Sequence, residues 1–205
     1  MSGLYSFARV VNAVLQHTLI PTRYIHPERL NDRDAPYIVI SNHQSLIDPM
    51  VVAAPIKRYE VVFLGKKEIT KNRFMRWLVT KMHMISVDRG HADMEAMRAC
   101  MKTVRGGGIL AVFPEGTRKC EGVMEHIESG VSLIALRAGV PLIPVYVRGK
   151  YAFFHRVRVY VGEPIPLDDL REAGVNADTA GMLNERIRET YRTMVREADQ
   201  ARERG

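Results

Sequence analysis

The chain has 205 residues, is 46% hydrophobic and 26% charged, and carries a net charge of +7. That length supports a full core in a single domain over 1–205, and the composition excludes a disordered chain. Its two cysteines, Cys100 and Cys120, exclude a disulfide framework and fit a reducing compartment.

Leu4, Phe7, Val11, Val14, Leu15 and Leu19 follow helical spacing, so residues 3–20 are expected to form an amphipathic helix ended by Pro21. This segment lacks the charge pattern and small-residue cleavage site of a signal peptide. Residues 37–41 (YIVIS) read as a buried strand, followed by NHQSLIDP at 42–49. There Pro49 suits a first helical turn, with Asp48 as its expected N-cap. Residues 61–64 form a strand ended by Gly65, 72–82 a helix, 84–87 a strand, and 92–105 a helix stopped by Gly106 to Gly108. The strand 109–113 (ILAVF) runs into PEGTR. A helix over 129–138 closes at Gly139, strands follow at 142–147 and 156–161, and a long charged helix spans 179–203. The longest apolar stretch, 131–147, is broken by Arg137, Gly139, Pro141 and Pro144 before reaching the ~20 residues of a membrane span. No transmembrane span is expected.

Strands that alternate with helices, several of them continuous apolar runs, predict an α/β fold with a mostly parallel central sheet flanked by helices. Sites in such sheets gather at the C-terminal ends of strands. Both NHQSLIDP and FPEGTR fall at such ends.

The two motifs offer complementary chemistry. A neutral imidazole takes the proton of an attacking hydroxyl, and a carboxylate on its other nitrogen fixes the tautomer and stabilises the imidazolium. His43 and Asp48 suit these parts. Five residues span ~140° of a regular helix, so the pair meets only if His43 sits in a turn and Asp48 at a helix start. No G-x-S-x-G elbow is present, so direct attack by a substrate hydroxyl is preferred to an acyl-enzyme. In the second motif, Arg118 follows a glycine turn, and a guanidinium with turn amides binds phosphate. Glu115 either hydrogen-bonds a hydroxyl or holds Arg118. Lys66 and Lys67, after another strand, are candidates to complete an anion site. The histidines lack metal-ligand spacing, and there is no phosphate-binding GxxxxGK[ST] loop; neither a metal nor a cofactor is expected.

These motifs resemble those of the 1-acyl-sn-glycerol-3-phosphate acyltransferases, the lysophosphatidic acid acyltransferases of phospholipid synthesis. The family's NHxxxxD box looks like Asn42, His43 and Asp48, and its FPEGTR box is Phe113 to Arg118. Its second block looks like Gly65-Lys66-Lys67-Glu68 ending at Val87-Asp88-Arg89, and its proline-bearing apolar block looks like Val140 to Val145. The motif-bearing core is thus 37–147. The resemblance implies transfer of a fatty acyl group from a thioester carrier, acyl-CoA or acyl carrier protein, to a glycerol hydroxyl. It implies His43 as general base and Asp48 as its orienting group. It also implies that Glu115, Gly116, Thr117 and Arg118, with Lys66, Lys67 and Arg89, bind the phosphate-bearing acceptor. Two departures bear on that acceptor: Lys119 stands where the family usually has serine, and Glu128 and Ser129 precede Gly130 where a basic residue is usual. Another lysolipid, an amine-bearing acceptor and thioester hydrolysis are the alternatives.

Residues 57–81 hold eight Lys or Arg against two Glu, +6 of the total charge. With no nucleic-acid recognition module to accompany it, this cluster points to a phosphorylated substrate or an anionic membrane surface. Phe74, Trp77, Leu78 and Met82 share one face of the helix expected at 72–82, ringed by Lys71, Arg73, Arg76 and Lys81. Such a face either lies in the bilayer interface or packs as core. A peripheral or monotopic enzyme on the cytoplasmic face of the cell membrane is the expectation.

Overall fold

Three apolar runs become neighbouring strands at the centre of a sheet whose C-terminal edge carries both motifs. The computed structural model describes residues 16, 18, 20–66, 84–87, 93–118, 122–152 and 155–203. The strands are β1 (Thr22–Ile25), β2 (Tyr37–Ser41), β3 (Val61–Lys66), β4 (Ile85–Val87), β5 (Ile109–Val112), β6 (Leu142–Arg148) and β7 (Val157–Val161). The helices are α1 (Glu28–Asn31), α2 (Asp48–Ala53), α3 (Met94–Arg105), α4 (Ser129–Ala138), α5 (Asp168–Glu172) and α6 (Ala177–Glu203). The sheet order is β1-β7-β6-β2-β5-β3-β4. From β6 to β4 every pairing is parallel; β7 runs antiparallel to β6, and β1 pairs parallel to β7.

The expected mostly parallel α/β sheet is therefore present, with a reversed pair at one edge. Apart from Tyr37 and Ser41, β2 and β5 are filled by aliphatic residues, and every residue of both strands is buried, as suits strands covered on both faces. Alternation along each strand divides the core. Ile38, Ile40, Leu110, Val112 and Leu142 pack under α3, α4 and α6 with Val104, Ile134, Leu183 and Ile187. Tyr37, Val39, Ile109, Ala111 and Val145 pack on the other face with Leu30, Val51, Val52 and Ile56. Each fully buried aliphatic side chain contributes about 1.5–3 kcal/mol, and this packing, rather than helix propensity, holds helices as short as α2.

Several expectations shift. The strand at 61 does not end at Gly65 but continues to Lys66, with Gly65 paired to Ser86. A Cβ at Gly65 would run into the Met84 thioether, so glycine here leaves room for that side chain. Asp48 is not the cap of α2: Ile47 holds that position without a side-chain cap bond, and Asp48 is the first helical residue. The strand β1 and the short helices α1 and α5 are additions to the predicted elements. The helix expected at 3–20 lies outside the described residues except near its end, where Gln16 and Thr18 are helical; the helix at 72–82 lies outside them entirely. Among the described residues, no helix is long and apolar enough to cross a membrane.

Candidate active site

The site forms where β2 and β5 end side by side. Ile40 pairs with Val112, an offset of 72 residues. The same offset persists past the strands: the His43 amide donates to Glu115 Oε2 at 2.9 Å across 72 residues. Glu115 Oε1 accepts the Met124 amide at 2.8 Å. Glu115 is only 3% exposed, so its carboxylate acts as a strap. It ties the first motif to the second and the second to the loop leading into α4. Burial, the largest influence, holds its carboxyl above the ordinary carboxylate range, while the two amides pull it down. Neither expected role of Glu115, bonding a hydroxyl or holding Arg118, is what its oxygens do; both face backbone amides.

Asn42 extends the β2–β6 ladder with its side chain. Its carboxamide donates to the Val147 carbonyl at 2.9 Å and accepts the Val147 amide at 2.8 Å. From α6, the buried Tyr191 hydroxyl lies 2.8 Å from the Ile40 carbonyl and 3.1 Å from that of Val145. The backbone entering His43 is thus held from both neighbouring strands and from the helix layer.

His43 and Asp48 meet as their spacing predicts. Residues 42–45 are irregular, the chain turns at 46–47, and α2 starts at Asp48. His43 Nδ1 lies 2.9 Å from Asp48 Oδ2. The same oxygen accepts the amides of Gln44 at 2.6 Å and Ser45 at 2.7 Å. An N-cap accepts amides that follow it; Asp48 accepts amides that precede it, so the loop closes around the carboxylate. The Asp48 side chain is 0% exposed and that of His43 is 17% exposed. One face of the imidazole stacks on Phe113, with ring centroids 4.3 Å apart. A carboxylate is an acceptor only, so Nδ1 carries the proton between the pair and Nε2 is the ring nitrogen that Asp48 does not engage. The arrangement is an imidazole set against a buried carboxylate on one side and an aromatic wall on the other.

Beyond Glu115, the second motif turns sharply. The Gly116 amide bonds back to the Phe113 carbonyl at 3.1 Å. Gly116 has φ +65°, a left-handed conformation that favours glycine at this position. The turn leaves Thr117 and Arg118 exposed. Lys66 ends β3 on the same edge of the sheet; Lys67 and Arg89 lie outside the described residues.

Residues 21–148 match the sequence profile of the family described as Acyltransferase. The chain belongs to the acyltransferase family. Among the relatives of this acyltransferase, the 1-acyl-sn-glycerol-3-phosphate acyltransferase of Bacillus subtilis (strain 168) is 27% identical over 164 residues, covering 76% of this chain and 81% of the relative. The enzyme of the same name from Streptococcus pneumoniae is 24% identical over 203 residues, covering 96% and 75%. The crystal structure of the 1-acyl-sn-glycerophosphate (LPA) acyltransferase PlsC from Thermotoga maritima superposes with a TM-score of 0.60 at 22% identity, over 90% of this chain and 76% of that one. That likeness concerns the fold.

One side chain at the site escaped sequence reasoning. The Tyr151 hydroxyl donates to Asp48 Oδ1 at 2.6 Å, across 103 residues. It lies in the connection from β6 to β7, in no motif, and no local signal marks it.

Proposed function

We propose that this acyltransferase moves a fatty acyl group from a thioester, acyl-CoA or acyl carrier protein, to the free hydroxyl of a lysophospholipid, 1-acyl-glycerol-3-phosphate, giving phosphatidic acid. The observation that carries this reading is the His43–Asp48 pair joined by Glu115 to the turn that presents Arg118. The names of the relatives support the acceptor.

In this reading the acceptor hydroxyl lies against His43 Nε2. As its oxygen attacks the thioester carbonyl carbon, Nε2 takes the proton and Asp48 stabilises the imidazolium. The tetrahedral intermediate then collapses, the carbon–sulfur bond breaks, and the thiol leaves with a proton from Nε2. The ester forms, and His43 returns to its starting state without a covalent enzyme intermediate. Phe113 limits ring rotation and keeps water from one face of the imidazole. Arg118 and Thr117 bind the acceptor phosphate, and Lys66, Lys67 and Arg89 add positive charge around it. The resemblance of the motif blocks supports these assignments, and the exposure of Thr117 and Arg118 is what phosphate capture requires. The cluster of +6 at residues 57–81 supports docking on an anionic bilayer, with the enzyme peripheral on the cytoplasmic face of the membrane.

The test incubates purified protein with a labelled acyl thioester and a panel of lysolipids, plus a reaction lacking any acceptor, and identifies products by mass. Phosphatidic acid is expected from the wild type. His43→Ala should lose roughly 10²–10⁴-fold in turnover, the contribution of a positioned base, without a change in fold. Free fatty acid released equally with and without acceptor identifies a hydrolase instead, and an active, folded His43→Ala removes the base assignment.

A further inference from the structure

Asp48 Oδ2 is crowded by three N–H donors, from His43 Nδ1 and the amides of Gln44 and Ser45. The carboxylate is fully buried, so Oδ1 needs a protein donor if the group is to remain charged. The Tyr151 hydroxyl supplies it at 2.6 Å. Burial, and secondarily the Asp48 charge, push the Tyr151 phenol above its ordinary range, so the hydroxyl keeps its proton and its donor role. A carboxylate held at one oxygen only can swing about its terminal torsion, which is broad and roughly two-fold. Held at both oxygens, it presents Oδ2 to Nδ1 in one direction.

We propose that Tyr151 is a positioning residue for the acyl transfer, its phenol fixing the plane of the Asp48 carboxylate and thereby the orientation and tautomer of His43. This rests on the reading of His43 as general base. The charged and titratable groups around the pair are His43 and Glu115 beside Asp48, and Tyr24 beside Tyr151, with the Gln44 side chain also bonded to the phenol. Tyr24 braces the same region: its hydroxyl lies 3.0 Å from the Val51 carbonyl of α2 and 2.6 Å from Gln16 Oε1.

The experiment measures kcat, both KM values and the pH profile of kcat/KM for the full chain, with palmitoyl-coenzyme A and 1-acyl-glycerol-3-phosphate. Tyr151→Phe keeps the ring and removes the donor. Its kcat should fall roughly tenfold, the scale of one hydrogen bond to a charged group, with both KM values unchanged. Relieved of one donor, the carboxylate holds a protonated imidazole more tightly, so the acid limb of the profile should move to higher pH. Because Tyr151 acts through Asp48, the loss caused by Tyr151→Phe should be smaller in the Asp48→Asn background than in the wild type. Should Tyr151→Phe lose its fold, 3-fluorotyrosine at position 151, a stronger donor, should move the acid limb to lower pH. A rise in either KM with kcat intact, an unmoved acid limb, or a full additive loss in the Asp48→Asn background overturns the proposal. The underlying reading fails separately, if His43→Ala keeps its turnover in the same assay.

Discussion

Replacing Asp48 in two ways separates its chemical work from its structural work. Its Oδ2 faces three N–H groups and its Oδ1 faces a hydroxyl. In Asp48→Asn the carboxamide oxygen can keep the three N–H donors while the NH2 turns to Tyr151, whose hydroxyl rotates to accept. No polar partner is orphaned, so the stability cost should be about 1–2 kcal/mol, for charge-assisted bonds replaced by neutral ones. Turnover should nevertheless drop by roughly 10²–10⁴-fold, because the counter-charge to the imidazolium is gone. Asp48→Ala is different. His43 and Tyr151 lose their partner, and the part-buried Gln44 and Ser45 amides lose their acceptor. At about 1–3 kcal/mol for each unsatisfied amide, the cost reaches about 2–6 kcal/mol, against a total stability on the order of 5–15 kcal/mol. Guanidinium denaturation followed by circular dichroism, run beside the acyl-transfer assay, reads both effects. Equal stability of the two variants, or near-normal turnover of Asp48→Asn, would refute this account of the carboxylate.

Asn42→Ala removes both bonds to Val147 and should destabilise by about 2–4 kcal/mol through the buried groups it orphans, with a fall in melting temperature as the measurement. Arg118→Lys keeps the charge and loses the planar fork, so the KM for the lysophospholipid should rise more than that for the thioester; the reverse order would assign Arg118 to the donor. The Glu115 carboxyl is held above its ordinary range by burial. A raised folded value means a contribution to stability that is present below the unfolded value of about 4.3 and lost as pH rises through the folded one. Denaturant midpoints at stepped pH should therefore fall with rising pH in that window, relative to a Glu115→Gln variant in which this slope is absent.

Local sequence determined much of this protein. The apolar runs at 37–41 and 109–112 read as buried strands because both faces of a covered parallel strand are apolar. The five-residue spacing of His43 and Asp48 demanded a turn followed by a helix start, and the chain makes that turn. Gly139 closes α4 where the sequence places the helix end, in a left-handed conformation. These features are legible because they depend on neighbours a few residues away. Three others were decided by tertiary structure. The carboxylate of Glu115 was expected beside Arg118 or a hydroxyl; strand register instead carries it to the His43 amide, and that register depends on the pairing of β2 with β5. Asp48 reads locally as a helix cap, but a half-buried imidazole and a distant phenol compete for its oxygens and turn it toward the preceding loop. Tyr151 carries no motif, and it comes to the site because β6 lies beside β2 in the sheet and ends at the same edge. The physical reason is one of range: hydrophobic period, turn chemistry and motif spacing act within a few residues. The second oxygen of a buried carboxylate takes whichever donor the fold delivers.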